Sequence, residues 1–375
     1  MVKFILISRS AFLNEESKIR EEILLLHQKL LQKDIKLVLV TRSKGEYKEI
    51  LNETFGNGEI LIKERYPLSK KFIEHNPKIS NKDFIMLGAV EEDIRIVANN
   101  KIILFNPMWM KVEEKIQKYG FRINSIDKLI QCIDILNLEN QFMFDAKLNE
   151  KTNLIALCDA REYYAVTDEL EVLKKYKGVL KFNHEPYQYA VYFHYICNLL
   201  NDERFTNVDY WMAVPSSSGS NENYVYEMVA NTRYLLNDRK KDDLFIRHTP
   251  AQKSTYMDKD ERKRLGCARH FDTIHLNPKY KGKLRGKKVC IIDDYVTNGT
   301  SFDTLRNLLE AEGVREIILL AIGTFRKPYV KENYEISGNV FTKDFSYELV
   351  DKNSIRIQAN NVAQETIKKI YNIIN

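Results

Sequence analysis

Residues 287–313, KKVCIIDDYVTNGTSFDTLRNLLEAEG, hold the side chains best placed to do chemistry. The apolar run Val289-Cys290-Ile291-Ile292 has the length and β-branched character of a buried strand. It ends in two adjacent carboxylates, Asp293 and Asp294, followed by the polar loop Thr297-Asn298-Gly299-Thr300-Ser301. Phe302, Leu305, Leu308 and Leu309 then repeat at helical spacing as far as Gly313, a C-terminal cap. Strand, paired acids, hydroxyl-rich glycine turn and helix, in that order, make a phosphate-binding design. Free amides of the loop and of the helix N-terminus point at an anion, and the helix dipole favours negative charge there. Thr297, Thr300 and Ser301 add hydroxyl donors, and Gly299 lets the backbone approach the phosphate. The acids sit one step earlier, where they can hydrogen-bond sugar hydroxyls. An ordinary strand–turn–helix with a capped start is the plainer alternative. A cap needs only one Ser or Thr, however, and leaves Asp293-Asp294 unexplained.

Upstream, Pro186–Leu200 reads as a hydrophobic helix, Val208–Val214 as a strand and Asn223–Leu235 as another helix. The strand runs into Pro215-Ser216-Ser217-Ser218-Gly219-Ser220, a loop of small residues with free amides and several hydroxyls. Between this loop and the acid pair lie Arg247–Lys253, Asp260–Arg264 and Ala268–Phe271, whose charge and low hydrophobicity predict a mobile surface segment. After Gly313, Glu316–Ile322 reads as a core strand, and the tail 329–375 as short β segments with a final helix over Val362–Ile374.

Residues 289–301 resemble the phosphoribosyl-pyrophosphate (PRPP) signature of type I phosphoribosyltransferases. Asn298 stands where that family usually has Thr or Ser, and Ser301 replaces the last Thr. The Arg-x-Thr-x-x-Gln pattern from Arg247, the Glu261-Arg262 pair, Phe271 and Tyr176-Lys177-Gly178 resemble the ComF-like branch, without its cysteine knuckle. The resemblance implies displacement at the ribose anomeric carbon, with pyrophosphate leaving and a nitrogen nucleophile attacking. Asp293 and Asp294 would hold the ribose hydroxyls, and Thr297–Ser301 the 5′-phosphate. Ser216, Ser217 and Ser218 would hold pyrophosphate with its Mg2+, which arrives with PRPP and not in a protein cage. Lys253 and Arg262 would close over the leaving group, and Phe325 would stack on a base, although a core role suits a Phe equally. Partners would be PRPP and a base or nucleotide acceptor. A homodimer, a nucleic acid and a partner protein stay open.

The 375 residues imply two domains, each burying a core of its own, and 44% hydrophobic with 29% charged residues makes the chain globular. A net charge of +6 suits a phosphate-rich ligand or weak nucleic-acid contact. No apolar run reaches membrane-spanning length, and the short run in MVKFILISRSAF does not make a signal peptide. Five scattered cysteines read as reduced thiols of a cytoplasmic protein.

In the N-terminal part, strands are expected at Lys3–Ile7, Ile35–Val40, Phe84–Leu87 and Lys101–Phe105. An amphipathic helix is expected over Asn14–Gln32, and further helices over Val112–Tyr119 and Ser125–Leu136. Alternating strands and helices imply a parallel sheet covered on both faces. The pattern resembles a haloacid dehalogenase-like (HAD) domain, in which an Asp-x-Asp pair follows the first strand. Here Ser8-Arg9-Ser10 stands there instead. Thr41 matches the second motif, Lys70 or Lys71 the third, and Gly88–Asp93 the fourth with only Asp93 kept. The resemblance therefore implies a degenerate, non-catalytic HAD-like domain over 1–143; a generic α/β domain of another family is the alternative. Phe144–Thr152 is expected to be a linker, and Asn153–Cys158 an edge strand. The phosphoribosyltransferase-like domain is expected over 150–375, with its core at 174–328 and a hood or packing tail at 329–375. The fold class is thus α/β in two domains, each a parallel sheet flanked by helices. Three readings of function remain: a phosphoribosyltransferase; a non-catalytic PRPP or nucleotide sensor of a stress or defence type, coupled to a partner or nucleic acid; and an N-terminal phosphatase, which Ser8 and Ser10 argue against.

Overall fold

The computed structural model describes residues 1–138, 142–220, 222–236, 242–251 and 258–374, and only the backbone of Lys259, Arg262, Lys263 and Ile374. The chain is α/β and holds two main sheets. The first unit runs β1 (Phe4–Ser8), α1 (Glu21–Leu30), β2 (Lys36–Thr41), β3 (Ile60–Glu64), β4 (Phe84–Leu87), α2 (Asp93–Asn100), β5 (Ile103–Pro107), β6 (Phe121–Ile123) and α3 (Ile126–Leu136). Its six strands are all parallel, in the order β3-β2-β1-β4-β5-β6. Strands such as Phe4–Ser8 and Phe84–Leu87 are continuous apolar runs buried on both sides, as a helix-covered parallel sheet requires.

The expected helix over Asn14–Gln32 begins only at Glu21. Ser17 sits at φ 61°, and the Asn14 side chain accepts from the amides of Glu16 and Lys18, closing a turn before the helix starts. Strand β3 was not foreseen.

The second unit runs β7 (Phe144–Lys147), β8 (Thr152–Asp159), α4 (Thr167–Phe182), α5 (Gln188–Asn201), β9 (Tyr210–Ala213), α6 (Tyr224–Leu236), β10 (Phe245–Arg247), α7 (Lys259–Leu265), β11 (Ile274–Leu276), β12 (Lys288–Val296), α8 (Thr300–Ala311), β13 (Glu316–Thr324), β14 (Tyr329–Gly338), β15 (Phe345–Ile355) and α9 (Ala363–Ile374). The sheet order is β7-β8-β13-β12-β9. Four strands are parallel, but β7 pairs antiparallel with β8, so this sheet is mixed and not purely parallel. The expected linker is therefore sheet: Phe144 is buried, and a short turn leads from β7 straight into β8, an interior strand and not an edge.

The two units do not bury separate cores. One apolar cluster runs from Ile5 and Leu39 of the first sheet, through Phe193 of α5 and Ile370 of α9, to Ile292 and Ile318 of the second. A second cluster, with Ile291, Leu305 and Tyr329, fills the opposite face of the second sheet under α8 and the β14–β15 hairpin. The tail thus divides: the hairpin packs on α8, while α9 joins the shared core between the units. No helix among the described residues is long and apolar enough to cross a membrane. All five cysteines are buried free thiols.

Candidate functional site

Strands β9 and β12 lie side by side, with Ile292 opposite Ala213, and the Val214 amide donates to the Ile292 carbonyl at 2.9 Å. The serine loop leaves the carboxyl end of β9 just where the acid pair begins on β12. In open α/β sheets this carboxyl edge is where ligands bind. The fold therefore gathers Ser216–Ser218, Asp293, Asp294 and Thr297–Ser301 at one edge, although about eighty residues separate the first group from the others.

Asp293 and Asp294 are half-buried near the end of β12. Burial, and next the charge of Asp294, push the Asp293 carboxyl up to about 8. Lys181 of α4 forms an ion pair with Asp294, and its ammonium lies 5.4 Å from the centre of the Tyr295 ring. Sequence reading missed Lys181; α4 shows only an amphipathic surface lysine, and nothing in its spacing points to Asp294.

The turn after β12 is held on two sides. The Val330 amide donates to the Asn298 carbonyl at 2.9 Å, and the Thr297 hydroxyl donates to Asn298 Oδ1 at 3.2 Å. Gly299 is the N-cap of α8, with φ 83° and no side-chain cap, so the first amides of α8 are not claimed by a capping side chain. Packing already requires glycine here: a Cβ would lie 2.0 Å from the buried Tyr329 ring. Thr300 is buried, and Ser301 Oγ lies 3.4 Å from Nε2 of buried His270. Burial pushes the His270 imidazole down to about 3, which leaves it neutral.

Behind the turn, α8 is anchored by charge. Arg306, fully buried, donates to Asp303 at 2.7 Å, to Glu310 at 2.7 Å and to the Glu332 carbonyl at 2.8 Å. Asp303 also accepts from the Tyr329 hydroxyl at 3.0 Å and from the Glu332 amide. This network ties the helix that follows the Thr297–Ser301 turn to β14.

The serine loop closes as a turn, Gly219 amide to Ser216 carbonyl at 3.1 Å, with Gly219 at φ 79° and Ser216 Oγ 3.2 Å from Ser218 Oγ. Arg247 clamps it from β10. Its Nε donates to the Ser216 carbonyl at 2.6 Å, and its other nitrogens donate to the Pro215 carbonyl at 3.3 Å and the Thr273 hydroxyl at 2.7 Å. Burial pushes the Arg247 guanidinium down to about 10. Arg247 was expected in a mobile surface segment; instead it lies on a strand. Phe245 and its neighbours Ile274 and Leu276 are buried, and β10 pairs antiparallel with β11. Ala268–Phe271 is a helical turn with His270 and Phe271 buried, so this part of the segment is also packed. Lys253 lies outside the described residues. Arg262 is placed on α7, but its side chain is not described.

Phe325 follows β13, with its ring 5.4 Å from that of Tyr295. Both rings line a cleft of about 70 Å3 together with Tyr176, Lys177, Lys181 and Glu162. That is far below the ~300–1,000 Å3 of small-molecule sites, so a base would enter only if this cleft opened.

The carboxyl edge of the first sheet carries different chemistry. Ser8 is fully buried, and its hydroxyl has no hydrogen-bond partner among the described residues. Asp93, also fully buried, accepts from the amides of Ala89 at 2.8 Å and Val90 at 3.2 Å and is ion-paired with Arg65. Asp93 is thus consumed in holding its own loop. Lys71 is an exposed residue at φ 44° and pairs with Glu74 at 3.3 Å.

No protein-family model, curated protein or solved structure matches this chain.

Proposed function

We propose that the second unit binds PRPP with Mg2+ and transfers phosphoribose to a nitrogenous acceptor, releasing pyrophosphate. The observation that carries this reading is the convergence, at the carboxyl ends of adjacent strands β9 and β12, of a serine turn and an acid pair leading into an uncapped helix start. In this reading Asp293 and Asp294 receive the ribose hydroxyls, and the turn Thr297–Ser301 with the α8 amides receives the 5′-phosphate. Ser216–Ser218 present the loop that meets pyrophosphate, held in shape by Arg247. The chain's part is positioning and electrostatic stabilisation of separating charge. Adjacent carboxylates and serine hydroxyls are hard oxygen donors that suit Mg2+. Among the described residues no group of three or more His, Cys, Asp or Glu could hold a metal ion, so this cation would take its remaining ligands from the pyrophosphate. When bound it would neutralise the leaving group.

The Lys181–Asp294 ion pair favours a second reading. A ligand that takes Asp294 must break a contact between α4 and β12, and such a contact suits a sensor coupled to a partner. Calorimetry with PRPP and Mg2+, followed by a pyrophosphate-release assay over a panel of bases, separates the two. Binding with release supports the transferase, and binding without release supports the sensor. No binding by the unaltered chain overturns both.

A further inference from the structure

Strand β6 is the outer strand of the first sheet, so one of its edges has no strand partner in that sheet. With α5 and α6 of the second unit it bounds a cavity of about 740 Å3, within the ~300–1,000 Å3 range of small-molecule sites. Tyr119 and Arg122 line it from one unit, and Tyr189, Tyr192, Tyr224 and Glu227 from the other. No residue of the acid pair, the serine loop or the phosphate turn reaches it.

Three observations give this cavity a chemistry. Tyr192 is only 8% exposed, and its hydroxyl has no hydrogen-bond partner among the described residues. A buried polar group left so is costly; this hydroxyl is closed off from solvent, so a ligand in the cavity satisfies it, and removes the cost, once a neighbouring side chain turns aside. Next, the tyrosine rings offer flat apolar faces, and Tyr119 already stacks on Tyr234 at 4.0 Å. Finally, Arg122 and Glu227 face the same space, and neither forms a salt bridge among the described residues. A cation for an anionic group, an acceptor for N–H donors and aromatic faces for a ring together describe one ligand class.

We infer that this cavity binds a nucleoside monophosphate, with its phosphate at Arg122, its base against the tyrosines, and base N–H groups donating to Glu227 and the Tyr192 hydroxyl. The bound molecule touches both units and so couples them. The inference is independent of what binds at Asp293 and Asp294.

Calorimetry of the full chain with AMP as the probe tests it, on the unaltered protein, Arg122→Ala, Tyr192→Phe and the Asp293→Asn/Asp294→Asn double variant. Arg122 is exposed, so its removal leaves the fold intact. AMP binds the unaltered protein; Arg122→Ala weakens it about tenfold or more, as loss of a charge-assisted hydrogen bond does. Tyr192→Phe also weakens AMP binding while raising the ligand-free Tm, and the double Asn variant binds as the unaltered chain does. The inference is overturned by no AMP binding at millimolar concentration, by equal binding in the unaltered chain and both cavity variants, or by binding lost only in the double Asn variant.

Discussion

Lys181 of α4 is ion-paired with Asp294 of β12, and so holds a cation against two carboxyls that share one crevice. The titration of Asp293 makes this contact measurable. In the folded chain Asp293 keeps its proton up to about pH 8, whereas an unfolded Asp releases it near ~3.9. A raised folded value means stability that is present below about pH 4 and lost as pH rises through 8. Unfolding temperature is therefore expected to fall between pH 5 and pH 8, and more steeply in Lys181→Met, where the neutralising charge is gone. Parallel curves for the two proteins would show that Lys181 does not act on the pair.

The double substitution Asp293→Asn/Asp294→Asn removes the repulsion and keeps the shape. At pH 8 it is expected to raise the ligand-free Tm relative to the unaltered chain, with the gain shrinking toward pH 5. The same variant is expected to lose PRPP binding in calorimetry. A variant less stable at pH 8 than at pH 5, relative to the unaltered chain, would contradict the strain assigned to the acids.

Much of this edge is legible in the sequence. The Val289–Ile292 run, the acids and the turn to α8 fall where pattern reading puts them, because strand, loop and helix are contiguous and each carries its own local signal. What the sequence hid depends on distance. Lys181 lies 113 positions before Asp294, and Arg247 lies 31 after Ser216 in a stretch whose charge masks the buried Phe245 at its head. Strand β7 was misread as a linker because Asp145, Lys147 and Asn149 look solvent-bound, although an edge strand needs apolar contact only on its inner face. The packing role of Gly299 was hidden for a similar reason: its φ is local, but the Tyr329 ring that excludes a Cβ arrives from 30 residues on.

Arg247→Ala is expected to loosen the serine loop. It frees the carbonyls of Pro215 and Ser216, and the loss of these charged donors costs about 1–3 kcal/mol. Urea unfolding measures that cost, and PRPP calorimetry measures the loss at the loop. Arg247→Lys is expected to restore little, because one ammonium does not reproduce a planar fork spanning three acceptors. Full rescue by lysine would mean that charge alone, without geometry, holds the loop.

Gly299→Ala separates backbone from ligand effects. The left-handed conformation costs a non-glycine residue about 1–2 kcal/mol, and the Cβ would also press into the Tyr329 ring. The expected loss in urea unfolding therefore exceeds that conformational cost, and it is present without any ligand. Tyr329→Ala empties a buried ring site and is itself destabilising, but the two substitutions together should cost less than the sum of each alone, since the ring is the obstacle. If Gly299→Ala unfolds like the unaltered chain while PRPP affinity collapses, the glycine serves the ligand and not the packing.

The buried charge network behind the turn gives the largest expected effect. Asp303 and Arg306 are both fully buried, and Arg306 also bridges to Glu310 and to the backbone of β14. Asp303→Ala leaves the guanidinium without its fully buried anion and strands the Tyr329 hydroxyl and the Glu332 amide, both of which donate to Asp303. Breaking one side of a buried pair costs about 3–5 kcal/mol, while replacing both sides with apolar groups of similar volume is often neutral. Asp303→Leu/Arg306→Met should thus be more stable in urea than Asp303→Ala, despite carrying one more substitution. Because the network also fixes α8 against β14, the double variant is expected to keep its fold and bind PRPP more weakly, separating what holds the helix up from what aims its N-terminus. Equal stability of the two variants would show that Glu310 alone satisfies Arg306.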